Sequence, residues 1–239
     1  MNSANAIAST ADFEFAALFE ADNYRAAIMR EFSPYLGVNV LEVGAGIGQF
    51  TSELAGQPSV SQVLAVEPES RFHASHAGRP WKLLKGTSRD VDRTGLWTSA
   101  VLVNVLEHIE DDTAELAWLH ELLQPSGGHV CLLVPAGAEL YAQLDRDFGH
   151  YRRYSRGLLR KRMMAAGFQV VSCEYFNSAG YFAWGLCMKI MGARNFSSLG
   201  VRFYDRLVFP WVNWLERNVV RPPFGQSLLA IGRAGKPDK

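Results

Sequence analysis

Three glycines at alternate positions, Gly44, Gly46 and Gly48, follow an apolar β-branched run and precede a helix-like run. Glycine accepts positive φ angles and lets a ligand approach the backbone closely. The helix that follows presents unpaired N–H groups at its first turn. Because ligands of open α/β sheets bind at the carboxyl ends of the strands, this turn predicts both the fold class and the position of a ligand site.

The rest of the chain continues the alternation of strand and helix. Near-continuous apolar strands joined by helical crossovers indicate an α/β fold, with a mostly parallel sheet covered by helices on both faces. The predicted strands are 38–43, 63–67, 81–85, 99–104, 129–134, 168–176 and 226–231, and the predicted helices are 12–35, 49–55, 112–123 and 155–166. We expect a single domain over residues 1–239, with an N-terminal helical segment at 12–36 and an inserted segment at 177–225.

Composition excludes several classes of protein. Apolar residues make up 48% and charged residues 20%, as in globular proteins. Lys plus Arg and Asp plus Glu are both 24, so the chain lacks the basic footprint of a general nucleic-acid binder. We expect no transmembrane segment and no secretory signal. Cys131, Cys173 and Cys187 are odd in number and widely spaced, which indicates thiols in a reducing cytoplasm.

The spacing of the glycines points to a ligand without phosphate. A dinucleotide-binding turn places its third glycine three residues after the second, where this chain has Gln49. Glu42 would repel a pyrophosphate but suits a cationic ligand, which disfavours a nicotinamide dehydrogenase. Glu67 lies 67 − 44 = 23 residues after the first glycine, where an acid holds ribose hydroxyls. S-adenosylmethionine, with a sulfonium and an amino group, fits this pattern.

The Glu42–Gly48 motif with Glu67 resembles the Rossmann-like S-adenosylmethionine-dependent methyltransferases over about residues 35–135. Within them, residues 104–112 resemble the quinone-biosynthesis-like group. Residues 147–155, which include the sequence GHYRRYS, and 222–227 are similar to a narrower bacterial subfamily of the type 11/12 methyltransferases.

This resemblance implies a seven-stranded sheet whose last strand is antiparallel. It also implies a cofactor site that binds S-adenosylmethionine, in which Thr87 stands where many relatives have an acid and Asp90 is the nearest carboxylate. The cofactor-binding residues that it implies are Glu42, Gly44, Ala45, Gly46, Glu67, Pro68, Ser88, Asp90 and Asn104.

His108 and His150 are the candidate general bases for methyl transfer to oxygen or nitrogen. For His108, a structural role and metal binding remain alternatives. Some relatives bind a divalent ion through E-x-x-E-H, but Asn104 replaces the first acid. Glu107 and His108 are then too few ligands unless His150 joins them, so we expect no metal.

The loop at 150–154 is the candidate acceptor site, because residues 146–162 carry seven basic side chains and one acid. We expect the acceptor to contact Tyr151, Arg152, Arg153 and Tyr154. Consecutive residues of an extended loop point in opposite directions, so one of the two arginines should face the pocket and the other should pair with an acid such as Asp145 or Asp147.

The aromatic segment 177–225 is interpreted first as a lid or acceptor wall, then as a dimer contact, then as a surface in weak contact with a membrane. The sequence therefore predicts a cytoplasmic methyltransferase, monomeric or homodimeric. Its acceptor would be a small molecule such as a sugar or a lipid-linked intermediate. The alternative is a non-catalytic module that binds the cofactor and acts through partners.

Overall fold

The computed structural model describes residues 20–190 and 198–235 of the chain. The part of the expected N-terminal helix that precedes residue 20 lies outside this range. Within it, helix α1 (Asp22–Phe32) is followed by a 3₁₀ turn at Ser33–Tyr35, where the ring of Pro34 ends the α-helical hydrogen bonding.

A seven-stranded sheet organises the molecule, with the strand order β3-β2-β1-β4-β5-β7-β6. The first five strands are parallel, and β7 runs antiparallel to both β5 and β6, which confirms the expected topology. The strands are β1 (Asn39–Val43), β2 (Gln62–Val66), β3 (Lys82–Leu84), β4 (Ser99–Val103), β5 (His129–Pro135), β6 (Gln169–Phe176) and β7 (Ser227–Arg233).

Helices cover both faces of this sheet and bury two apolar clusters. One cluster includes Leu119 and Met163, and the other includes Phe32 and Leu54. The helices after α1 are α2 (Gln49–Ala55), α3 (Asp112–Leu123), α4 (Gln143–Asp147), α5 (Arg156–Ala165), α6 (Ser178–Trp184), α7 (Ser198–Phe203) and α8 (Phe209–Asn218). Two π-helical stretches, Gly185–Ile190 and Tyr204–Val208, follow α6 and α7.

Two buried acids attach the segment between β6 and β7 to the rest of the fold. Asp205 accepts hydrogen bonds from the backbone N–H groups of Asn23 (3.0 Å) and Tyr24 (2.9 Å) at the start of α1. Glu216 accepts from the N–H groups of Asn177 (3.1 Å) and Ser178 (2.6 Å) at the start of α6. Each carboxylate satisfies orphan donors of a helix N-terminus, where negative charge is favourable.

In the described part of the chain, none of the helices has the length and apolar character needed to cross a bilayer. Cys131 and Cys173 are buried free thiols, whereas Cys187 is partly exposed.

Candidate active site

The glycine-rich turn adopts the conformation that its sequence predicts. Gly44, Gly46 and Gly48 have φ angles of +75°, +53° and +83°, which favour glycine. The N–H groups of Gly44 and Ala45 donate to the Val66 carbonyl at 2.9 and 3.1 Å. A Cβ atom on Gly44 would collide with the Val105 side chain. The turn therefore joins β1 to α2 and packs against the loop that follows β4.

Glu67 holds this turn in place. One carboxylate oxygen accepts from the Gly46 N–H at 2.7 Å, and the other accepts from the Glu69 N–H at 2.8 Å. Each oxygen has a second lone pair, so the carboxylate has acceptor capacity beyond these two bonds. Glu67 is thus a structural part of the site whether or not it also contacts a ribose.

His76 and Trp81 also hold the turn in place, and no sequence motif identified them. The Trp81 indole N–H donates to His76 Nδ1 at 2.9 Å, and His76 Nε2 lies 2.8 Å from the Gly46 carbonyl. The indole is only a donor, so His76 Nδ1 is the acceptor and Nε2–H donates to Gly46. A Cβ atom on Gly48 would lie 3.1 Å from Trp81 and 3.2 Å from His76.

Glu42 is a buried carboxyl group at the end of β1. Its Oε2 atom has no hydrogen-bond partner among the described residues. Burial raises the pKa of Glu42 to about 8, and the charges of Glu67 and Glu53 add to this, while Thr51 acts in the opposite direction. A buried carboxyl oxygen without a hydrogen-bond partner, at the carboxyl ends of the strands, suits a cationic group such as an ammonium.

The remaining predicted cofactor residues lie around the same edge of the sheet. Asn104 has a φ of +52° directly after β4. Ser88 is buried, and its carbonyl accepts from the Trp118 indole at 2.8 Å. The exposed Asp90 carboxylate accepts from the Thr87 N–H (2.8 Å) and hydroxyl (3.0 Å), and these bonds lower its pKa. Pro68 is exposed beside Glu67.

A cavity of about 460 Å³ lies next to Asn104, between the carboxyl ends of β4 and β5 and the helices of the inserted segment. Most of its wall is apolar. Its polar side chains include Asn104, Glu107, His150 and Arg153.

Asp145 organises the polar wall of this cavity. Its Oδ1 atom accepts from Arg153 Nε at 2.7 Å and lies 3.0 Å from His150 Nδ1. Its Oδ2 atom accepts from the Ala142 N–H at 2.8 Å. Burial alone would raise the pKa of Asp145, but the bonds from His150, Arg153 and Ala142 and the charge of Arg153 lower it. His150 therefore donates from Nδ1 to a carboxylate, and in the neutral imidazole Nε2 is the nitrogen that can accept a proton.

The two arginines face opposite ways, as predicted from their sequence spacing. Arg153 lines the cavity, and its guanidinium lies 4.4 Å from the centre of the Trp184 ring. Arg152 instead donates to the carbonyls of Ile109 (2.8 Å) and Glu110 (2.7 Å). The expected pairing is only partly right, because Asp145 pairs with the arginine that faces the cavity, while Arg152 pairs with Asp112 at 3.0 Å.

The tyrosines on either side of these arginines do not line the cavity. Tyr154 is fully buried, and its hydroxyl donates to Asp112 at 2.7 Å. Tyr151 is exposed, and its N–H donates to the Glu107 carbonyl at 2.8 Å. The structure therefore gives both residues contacts that shape the loop. The buried Asp112, which also pairs with Arg162, was not identified from the sequence.

Glu107, His108 and His150 come together although they belong to two loops. One possible metal-ligand atom from each lies within 4.8 Å of the others, and the two imidazole rings are 4.6 Å apart. Burial and the neighbouring His150 lower the pKa of His108 to about 4, although the Phe148 backbone acts in the opposite direction. The sequence argument against a metal made an exception for the case in which His150 joins Glu107 and His108, and the structure places His150 beside them.

The inserted segment forms the outer wall of the cavity. Its lining residues include Asn177, Gly180, Trp184, Val201, Tyr204 and Val208. Asn177 has a φ of +62° and accepts from the Gly180 N–H at 3.0 Å, which caps α6.

Comparison with known proteins identifies a methyltransferase family. A family model described as "Methyltransferase domain" matches residues 13–173. A ubiquinone biosynthesis O-methyltransferase of Cereibacter sphaeroides is 32% identical over 103 residues, which are 41% of this chain and 42% of that protein. One of the same name from Ruegeria pomeroyi is 28% identical over 114 residues, 46% of each chain. This chain thus spans less than half the length of the curated relatives it matches.

Solved structures share the fold. The Burkholderia thailandensis 1,6-didemethyltoxoflavin-N1-methyltransferase, crystallised with 1,6-didemethyltoxoflavin and S-adenosylhomocysteine, superposes with a TM-score of 0.58 at 19% identity. The superposition covers 96% of this chain and 85% of that one.

Proposed function

The chain belongs to the methyltransferase domain family, and from that premise we propose that it transfers the methyl group of S-adenosylmethionine to an oxygen or nitrogen atom of a small-molecule acceptor. The match to the family model over residues 13–173 supports the class of reaction. The glycine-rich turn and the buried Glu42 support the cofactor, because glycines at positive φ let a ligand approach the backbone closely and the carboxyl group suits an ammonium. When bound, S-adenosylmethionine supplies an electrophilic methyl group on a sulfonium.

The Asp145–His150 pair on the wall of the cavity is the observation that carries the proposed mechanism. His150 donates from Nδ1 to Asp145 at 3.0 Å, which fixes the tautomer and the ring orientation. Nε2 is then the atom that can accept a proton from a hydroxyl or amine in the cavity. Asp145 stabilises the imidazolium that forms.

The step balances in atoms and charge. As the acceptor atom forms its bond to the methyl carbon, the sulfur–methyl bond breaks and its electron pair stays on sulfur, giving S-adenosylhomocysteine. His150 Nε2 takes the proton from the acceptor atom, so the positive charge passes from the sulfonium to the imidazolium. The apolar wall excludes water from the methyl group.

The shape and lining of the cavity favour an acceptor with an apolar body and a polar end. A volume of about 460 Å³ with a mostly apolar wall suits a ring or an alkyl chain. Asn104, His150 and Arg153 supply polar groups in this wall, and Asp145 holds the last two together. The name of the two curated relatives supports transfer to oxygen, and a substituted phenol is the acceptor that we propose.

A divalent cation would compete with this mechanism. One carboxylate and two imidazoles at Glu107, His108 and His150 fit a transition-metal ion in donor type. Coordination through His150 Nε2 would occupy the lone pair that proton transfer requires, because Nδ1 is held by Asp145. The role as base and the role as ligand therefore exclude each other, and we propose that the site works without a metal.

The test is His150→Ala, with an alkyl-substituted catechol as the acceptor probe and S-adenosylhomocysteine formation as the readout. We expect kcat to fall by about 10²–10⁴ because the base is lost. The affinity for S-adenosylhomocysteine should stay the same, because the glycine turn and Glu42 are untouched. His129→Ala is the matched control and should keep kcat. His129 is the first residue of β5, so it lies at the amino-terminal end of the strand, away from the site at the carboxyl ends.

Two results would contradict the proposal. Full activity of the His150→Ala variant would remove the base from the mechanism. Tight binding of S-adenosylhomocysteine by the unchanged protein, with no turnover of S-adenosylmethionine by any phenol, hydroxyl or amine acceptor, would favour a non-catalytic binding module.

A further inference from the structure

The segment that walls the cavity also has an exposed apolar face. Five side chains at intervals of three or four residues point away from the core, and we call them the outer stripe. The outer stripe consists of Leu199, Phe203, Leu207, Trp211 and Trp214, whose exposed fractions are 76%, 63%, 57%, 75% and 56%. It runs from α7 through the π-helical stretch into α8.

The opposite face of the same helical run is already occupied by the fold. Phe209 is buried in the core, and Asp205 and Glu216 are buried at the N-termini of α1 and α6. A surface helix normally presents polar residues on the side that faces water. Here the side that faces water carries large apolar side chains, and packing within the described part of the chain does not account for them.

The exposed charges on the segment that carries the outer stripe are all positive, and acids of other elements pair with three of them: Glu20 with Arg202 (3.0 Å), Glu31 with Arg217 (3.4 Å) and Glu174 with Arg221 (3.9 Å). The exposed charged residues of the described range 198–221 are Arg202, Arg206, Arg217 and Arg221. The two acids in that range, Asp205 and Glu216, are buried, with exposed fractions of 2% and 9%. Exposed tryptophan, phenylalanine and leucine flanked by arginine is the composition of a helix that lies in the interfacial region of a bilayer.

The outer stripe is continuous with the cavity. Phe203 belongs to both, because it lines the cavity and is still 63% exposed. Its neighbours Gly200, Val201 and Tyr204 also line the cavity. The outer stripe therefore meets the cavity at Phe203.

We propose that the outer stripe docks on the surface of an anionic lipid bilayer. The tryptophans and leucines enter the boundary between headgroups and acyl chains, and the arginines contact lipid phosphates and anionic headgroups. This orientation turns the Phe203 side of the cavity toward the bilayer, so that a membrane-dissolved amphiphile can reach the cavity without crossing water. Docking itself is independent of the proposed methyl transfer and can be measured without an acceptor.

Charge argues against a second copy of the chain as the occupant. A two-fold contact places the same patch on both sides of the interface. Arg206, which forms no ion pair with another described residue, would then be desolvated in a contact whose two sides both carry this arginine. An anionic surface pairs with Arg206 instead.

The experiment is cosedimentation of the full chain with vesicles. We expect binding to phosphatidylcholine vesicles that contain phosphatidylglycerol, weaker binding to phosphatidylcholine alone, and weakening by salt because the lipid charges are screened. The Trp211→Ser/Trp214→Ser variant should bind anionic vesicles at least about tenfold more weakly. Leu96→Ser, which removes a side chain that is 56% exposed elsewhere, is the matched control and should bind like the unchanged protein.

Arg206→Gln supplies a second measurement that leaves the apolar surface intact. It should weaken binding to anionic vesicles by about fivefold and leave binding to neutral vesicles unchanged. The melting temperature of each variant with S-adenosylhomocysteine present checks that the fold is kept.

Three outcomes would overturn the proposal. The unchanged protein could fail to bind vesicles of either composition. It could bind with an affinity that the tryptophan changes do not alter, which would place the contact elsewhere. Finally, the unchanged protein could form a dimer by sedimentation, ignore vesicles and become monomeric in the Trp211→Ser/Trp214→Ser variant, which would assign the outer stripe to a protein interface.

Discussion

At the scale of the residue, the ionisation of Glu42 affects both the stability of the folded protein and the binding of its ligand. Burial raises the pKa of this carboxyl from 4.5 to about 8. The folded state therefore binds the Glu42 proton more tightly than the unfolded state does. The resulting contribution to stability is present at low pH and is lost as pH rises from about 4.5 to about 8.

Glu42→Gln should remove this dependence. We expect the unliganded variant to be more stable than the unchanged protein at pH 8, by on the order of 1–3 kcal/mol, because an amide carries no buried charge. S-adenosylhomocysteine should bind the variant more weakly, since its ammonium loses a carboxylate. Urea denaturation at pH 5 and pH 8, with calorimetric binding at each pH, measures both effects. If the slope of stability with pH survives in the variant, the titrating group is not Glu42.

His150 gives a second prediction at this scale, because a base and a metal ligand cannot share one lone pair. Turnover should persist after treatment with a chelator, and added Mn²⁺ or Zn²⁺ should inhibit by occupying His150 Nε2. Activity with the catechol probe after dialysis against a chelator is the measurement. Loss of turnover, restored by a divalent ion and abolished again in His108→Ala, would assign Glu107, His108 and His150 as ligands.

At the scale of the element, the sequence predicted the strands and the main helices well. The apolar runs of β1, β4 and β5 are buried on both faces of a parallel sheet and carry little polar interruption. The predicted end of α5 is confirmed, because Gly167 has a φ of +97° directly after the C-cap. These features depend on local chemistry that the sequence displays.

The parts of the site that could not be predicted depend on contacts between distant elements. Asp145 lies in the short helix α4, which was not predicted because five residues are too few to show helical periodicity. Asp112 and His76 are single polar residues whose partners lie 42 and 30 positions away. The sequence showed the bases of the 146–162 segment but not which of them the buried acids pair with.

Asp205 gives the prediction at this scale. It caps the N-terminus of α1, whose N-cap residue Ala21 offers no side-chain acceptor. Asp205→Ala should lower the free energy of unfolding by about 1–2 kcal/mol through the lost cap and helix-dipole contact. Because Asp205 and Val208 line the cavity, the acceptor KM should rise, while the affinity for S-adenosylhomocysteine should stay the same.

Asp22→Ala is the matched control for this change. Asp22 lies in the first turn of the same helix, but its side chain is 74% exposed and pairs with Arg25 at the surface. Its loss should cost less than about 1 kcal/mol, as exposed ion pairs usually do. Equal effects of the two changes would show that the buried cap contributes nothing specific.

At the scale of the whole molecule, the residues predicted to bind the cofactor and the residues that line the cavity come mainly from different stretches of the chain. The turn after β1, the end of β2 and the loop after β3 carry the predicted cofactor residues, whereas the loop after α4 and the inserted segment form the cavity. Asn104, at the end of β4, stands where they meet. This division explains why cofactor binding and acceptor binding should respond to different substitutions.

The last prediction concerns the ligand that stabilises the whole fold. S-adenosylhomocysteine binds the native state alone, so it should stabilise the protein by about 2.7 kcal/mol at one hundred times its Kd, while NAD should produce no shift because the turn lacks the dinucleotide spacing. Glu67→Gln should reduce the effect of S-adenosylhomocysteine, because an amide can accept through only one atom and loses one of the two backbone bonds that hold Gly46 and Glu69. Thermal unfolding over a series of ligand concentrations gives the affinity of each variant. Arg71→Gln, which removes the exposed partner of Glu69, is the matched control and should leave that affinity unchanged. A shift with NAD and none with S-adenosylhomocysteine would overturn the assignment of the cofactor.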